Sequence, residues 1–69
     1  MIKVTYSTKR YEDEWGCRPS RELCGDWAFY FGDAKRKEWA PAPMKYADAK
    51  RWAWARAVRE GFVNIEVAP

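Results

Sequence analysis

The groups in this chain that could do chemistry are of three kinds: two thiols, ten carboxylates, and thirteen cations interleaved with tryptophan. Histidine is absent. The usual general base at neutral pH is therefore missing, and a cysteine or serine nucleophile lacks its imidazole partner. A carboxylate pair could substitute, but nothing selects one pair from ten acids. The chain has no Walker-type loop, no GxGxxG, no zinc-protease helix and no G-x-S-x-G. A protein without enzymatic activity and without a cofactor is expected.

The thiols, Cys17 and Cys24, have six residues between them in a loop bracketed by Gly16 and Gly25. A disulfide there is worth ~2–3 kcal/mol on the loop-entropy model. Two reduced thiols in a cytosolic loop are the alternative. Zinc would need carboxylates or a second chain to complete a tetrahedral set, since there is no histidine and no second cysteine pair. Glu12-Asp13-Glu14 reads as a solvated turn, because adjacent side chains of an extended segment point alternately away and do not converge on an ion. No metal site is expected.

The cations are more informative. Residues 1–33 carry five basic and six acidic groups, and residues 34–69 carry eight basic and four acidic ones, a +4 excess within a chain of net charge +3. That asymmetry suits an acidic partner, nucleic acid or protein. Two groupings stand out. Lys35, Arg36 and Lys37 run toward Trp39, and Lys45, Trp52, Arg56 and Arg59 fall within about 40–60° of one another if 43–60 is a helix. Trp52 among arginines has the composition of a binding hot spot. In a purely structural role, a loop would cover Trp52 or Arg56 would stack on its ring. Basic charge beside aromatics also suits single-stranded nucleic acid, but no RNP motif, zinc finger, GXXG loop or helix-turn-helix spacing is present.

The elements that must position these groups follow from periodicity. Residues 44–60 contain no glycine, proline or threonine and are rich in Ala, Lys and Arg, with Pro43 suited to the first helical position and Gly61 to the stop, so a helix spans 43–60. Tyr46, Ala47, Ala53, Trp54, Ala57 and Val58 form its expected buried face. Trp54 is the first core residue by this reading, costing ~3–5 kcal/mol on truncation. Period-two alternation gives a strand at 2–8 (Ile2, Val4, Tyr6) and a closing strand at 62–67 (Val63, Ile65, Val67). A loop fills 12–25. A hairpin spans 26–40, with Trp27 opposite Trp39 if the loop is Gly32-Asp33-Ala34, and a register shifted by one if the loop has two residues. The fold class is then a small two-layer α+β domain: a three- to four-stranded, mainly antiparallel sheet with one helix on one face. The last strand beside the first would put both termini in the sheet.

At 69 residues the chain makes one domain and buries only about 60% of its unfolded surface. Five Trp, four Tyr and three Phe compensate with unusual apolar payload. No apolar run near 18 residues is present and the start alternates, so a soluble, cytoplasmic protein with no membrane partner is expected. Ala47-Asp48-Ala49-Lys50-Arg51-Trp52-Ala53, then Gly61 and Val63-Asn64-Ile65-Glu66-Val67, resembles the closing helix and strand of some small phage-encoded accessory proteins, anti-CRISPR proteins among them. The resemblance covers about a third of the chain. It implies a protein that occupies a surface of a host protein or ribonucleoprotein, and it transfers no functional residue. The leading expectation is thus a non-enzymatic binding module with a macromolecular partner, a protein before a nucleic acid, using Trp52, Arg56, Arg59, Lys45, Lys35, Arg36 and Lys37. The runner-up is direct DNA or RNA binding, and the third reading is a homodimer that buries the exposed aromatics.

Overall fold

The computed structural model describes residues 3–32 and 35–68. Six strands and two helices follow in the order β1 (Thr5–Ser7), α1 (Lys9–Trp15), β2 (Cys24–Gly25), β3 (Ala28–Phe31), β4 (Glu38–Trp39), β5 (Met44–Lys45), α2 (Tyr46–Glu60) and β6 (Asn64–Val67). Four strands form a sheet in the order β1-β6-β3-β4, and β2 pairs with β5 apart from it. The chain is α+β. The sheet is antiparallel except where β6 runs parallel to β1, with Tyr6 opposite Ile65. Ile2, and Asp33 and Ala34 of the expected hairpin loop, lie outside the described residues.

Alternation along the two central strands sorts their side chains. Phe29 and Phe31 on β3 meet Val67 and Ile65 on β6, and all four are fully buried. Tyr30 and Glu66, also cross-strand partners, face the other way. Burying Phe, Ile and Val at these positions removes about 1.5–3 kcal/mol of exposed apolar surface each. The sheet centre is therefore the core. The hairpin pairs Ala28 with Trp39, one residue off the Trp27–Trp39 register. Trp27 instead turns inward and donates its indole N–H to the Met44 carbonyl at 3.1 Å, which ties the hairpin to the start of α2.

The phase of α2 differs from the expected one. Its buried stripe is Tyr46, Ala49, Ala53 and Ala57, a three-residue step followed by two four-residue steps along one helical face. Alanines there let the backbone settle close over the phenylalanines beneath. Trp52 and Trp54 each sit about 100° from Ala53, on opposite flanks of that stripe. The sheet decides between them. On the β3 flank, Trp52 meets Phe29 and Phe31 at ring distances of 6.1 and 6.2 Å. On the β1 flank, among the described residues, Trp54 meets one ring, Tyr6 at 6.2 Å, and the sheet ends. Trp54 is left 38% exposed and Val58 62% exposed. The assignment of Trp54 and Val58 to the core is thus corrected: Trp52 is the tryptophan that packs on it.

Residues expected in a strand-to-loop segment form α1. Thr8 sits at its N-cap position, Gly16 stops it at φ 74° with its N–H on the Glu12 carbonyl (2.7 Å), and Tyr11 and Trp15 share a face. Seven residues cannot hold a helix alone in water. Tertiary contacts hold this one: Tyr11 stacks on Trp27, and Arg10 pairs with Glu66 while lying 4.4 Å over the Tyr30 ring. Because Tyr30 and Glu66 point away from α2, α1 reaches the opposite face of the sheet. Gly61, at φ 78°, ends α2 with its N–H on the Ala57 carbonyl.

Candidate functional site

The residues expected to form a cationic patch around Trp52, and Lys35 to Lys37 expected as a second patch near Trp39, are divided among several tasks. Arg56 donates to Glu38 on β4 at 2.7 Å and to Glu60 one turn along α2 at 3.1 Å. Its guanidinium also lies 5.6 Å from the Phe31 ring centroid and 5.9 Å from that of Trp52. Arg56 is therefore a clip between helix and edge strand that roofs the core edge, and with Trp52 half-buried beneath it neither presents the aromatic anchor expected at that face. Lys45 is exposed and pairs with Glu22 at 2.9 Å. Arg59, Lys35, Arg36 and Lys37 are exposed. Lys37 places its ammonium 5.0 Å from the centroid of the Trp39 ring.

A different stripe of α2 combines an exposed tryptophan with cations. Ala47, Lys50, Arg51, Trp54 and Ala55 line a shallow depression on the helix, and Val58 continues it one turn beyond Trp54. Lys50 and Arg51 are exposed, and among the described residues no carboxylate pairs with either. The Lys50 ammonium lies 4.6 Å over the Tyr6 ring, which also props Trp54 from below. Two positive charges, one large amphipathic ring and an aliphatic neighbour thus share one rigid helix face. Apolar periodicity predicts Trp54 and Val58 inside. The signal that could have reassigned them was the unbroken alanine spacing 49-53-57, which marks the close-packed side.

Beneath this face, the Tyr6 and Tyr46 hydroxyls hydrogen-bond to each other. Burial, reinforced by that hydrogen bond, pushes the Tyr6 phenol well above its ordinary value, and burial likewise raises Tyr46. Both stay protonated at neutral pH and offer no base.

A second concave surface lies between α1 and the hairpin. Tyr11 and Trp15 of α1, residues 23–26, Trp27, Ala28, Trp39 and Ala68 line a cleft of about 240 Å³. Trp15, Trp39 and Leu23 are its large exposed members, at 61%, 57% and 46%. Cys24 on its wall and Cys17 are free, exposed thiols. Trp15 and Trp39 line the same cleft because α1 forms and because pairing with Ala28 turns Trp39 away from α2.

Among the described residues, no helix is long and apolar enough to cross a membrane. No protein-family model, curated protein or solved structure matches this chain.

Proposed function

We propose that this protein is a non-enzymatic binding module that presents the basic, aromatic face of α2 to a macromolecular partner, a protein with an acidic surface. One observation carries the reading: Trp54 is exposed between Lys50 and Arg51 on a helix whose other side is locked into the core. Tryptophan and arginine are the types enriched at energetic hot spots, and an anchor on a rigid element loses little entropy on docking. The charges speed encounter with an acidic surface, and the desolvated ring slows dissociation. The absence of histidine from the sequence and the protonated tyrosine pair support the non-enzymatic part. The resemblance of residues 47–67 to small phage accessory proteins supports an inhibitor that works by occupying a host surface.

Direct nucleic-acid binding is the second reading, favoured by exposed Lys35, Arg36 and Lys37 beside Trp39. Titration of labelled single- and double-stranded oligonucleotides at about 0.05 and 0.2 M salt separates the two. Protein recognition predicts weak binding that is lost at the higher salt, since attraction to a +3 chain is then largely screened. Sub-micromolar binding that persists at the higher salt would replace the protein partner with a nucleic acid.

A further inference from the structure

We infer that the cleft between α1 and the hairpin is a second binding site, independent of the α2 face, and that it takes a quaternary ammonium group. Four aromatic rings from different parts of the chain line it: Tyr11 and Trp15 from α1, Trp27 before β3, and Trp39 from the edge strand. Tyr11 lies 6.1 Å from Trp15 and 5.8 Å from Trp27, tilted by about 35° to each. Asp26, exposed, is the only charged residue in the lining. Rings with negative faces together with one carboxylate attract a positive charge that carries apolar bulk, which describes an alkylated ammonium; the one cation beside them is Lys37, outside the lining and over the Trp39 ring.

Size and rigidity agree with that ligand. Sites for drug-sized molecules run to roughly 300–1,000 Å³, so about 240 Å³ suits a single headgroup or side-chain end. Trp27 is buried and pinned through its indole N–H to Met44, and Tyr11 is stacked against it, so half of the cage is preorganised. Trp39 demonstrates the preference within the chain itself, since the Lys37 ammonium already lies over its ring. An alkylated ammonium sheds its hydration more readily than Lys37 does and so can displace it from the Trp39 ring.

The test is a titration of the whole chain with choline and with an N-acetylated, C-amidated trimethyl-lysine, followed by proton–nitrogen NMR of the tryptophan indole groups. The Trp15 and Trp39 signals should move with either probe while those of Trp52 and Trp54 stay. Tighter binding of one probe distinguishes a free ammonium compound from one borne on a protein, and both results support the site. The neutral isostere of choline, with carbon in place of nitrogen, should bind at least about fivefold more weakly. Trp39→Leu and Asp26→Asn change exposed side chains and leave the core intact, and each should weaken choline binding several-fold. Equal affinity for the neutral isostere, unchanged affinity in both variants, or no indole shift at tens of millimolar choline would overturn the inference. None of these results bears on Trp54.

Discussion

Truncating the two tryptophans of α2 should have opposite consequences from those that periodicity alone predicts. Trp52→Ala removes a ring packed on Phe29 and Phe31 and takes away the surface over which Arg56 lies. Fully buried aromatic truncations cost about 3–5 kcal/mol. Trp52 is half-buried, so about 2–4 kcal/mol is expected here. A domain of this size holds about 3–5 kcal/mol in all, which brings the variant close to unfolding. Trp54→Ala loses one tilted ring contact with Tyr6 at a position that is 38% exposed, worth about 1 kcal/mol. Urea denaturation followed by far-ultraviolet circular dichroism, with each variant referred to its own folded and unfolded baselines, reads the difference. With an m-value of about 1 kcal/mol/M, the Trp52 variant should shift its midpoint by about 2–4 M or lack a folded baseline, and the Trp54 variant by about 1 M or less. Equal midpoints, or a larger loss for Trp54→Ala, would refute the helix phase and the choice of Trp54 as the exposed anchor.

Three further outcomes follow from local geometry. Gly32 has φ 59°, and a Cβ there would meet Phe62 Cδ1 at 3.2 Å, so Gly32→Ala should cost about 1–2 kcal/mol in thermal denaturation; an unchanged midpoint would contradict the turn. The Tyr6 and Tyr46 phenols are raised in the folded chain, chiefly by burial. Their contribution is therefore complete below the unfolded value near 10 and is lost as pH rises above it, by up to about 1.4 kcal/mol per pH unit for each group. Stability measured from pH 9 upward should fall less steeply in Tyr6→Phe than in the unaltered chain, and parallel slopes would show that the pair titrates normally when folded. For the Arg56–Glu38 clip, a double-mutant cycle should give a coupling of about 0.5–1 kcal/mol, and a value near zero would mean that the ion pair does not tie α2 to β4.

Much of the fold was legible because period is a local property. Alternation at Val4 and Tyr6 and at Ile65 and Val67, the glycine stop at Gly61 and the long run of helix formers before it lead to the α+β class, and the observed helix lies within residues 43–60. The phase of α2 was not legible from apolar count, because Trp52 and Trp54 flank the alanine ridge symmetrically and only the position of the sheet edge sends one inward. Helix α1 escapes a local reading for a related reason. Thr8 and Gly16 bracket it locally, but its stability comes from Tyr11 on Trp27 and Arg10 on Glu66, contacts that span 16 and 56 positions. The aromatic cleft depends on that same helix and on a hairpin register offset by one residue, so neither Trp15 nor Trp39 could be assigned to it in advance. Lys45 and Arg56 were singled out for charge, and acidic partners elsewhere in the chain, Glu22, Glu38 and Glu60, take them up.

Trp54, with Lys50 and Arg51, is proposed to anchor a protein partner. The most direct measurement is quantitative capture from nuclease-treated extract of the source cell, with the unaltered chain, Trp54→Ala and Arg51→Ala as parallel baits. Once a retained protein is purified, its affinity for each bait is measured in turn. One protein retained by the unaltered chain after nuclease treatment, and bound about 2 kcal/mol more weakly by Trp54→Ala through faster dissociation, is the predicted result. Retention that disappears with nuclease, or a partner bound equally by all three baits, would contradict it.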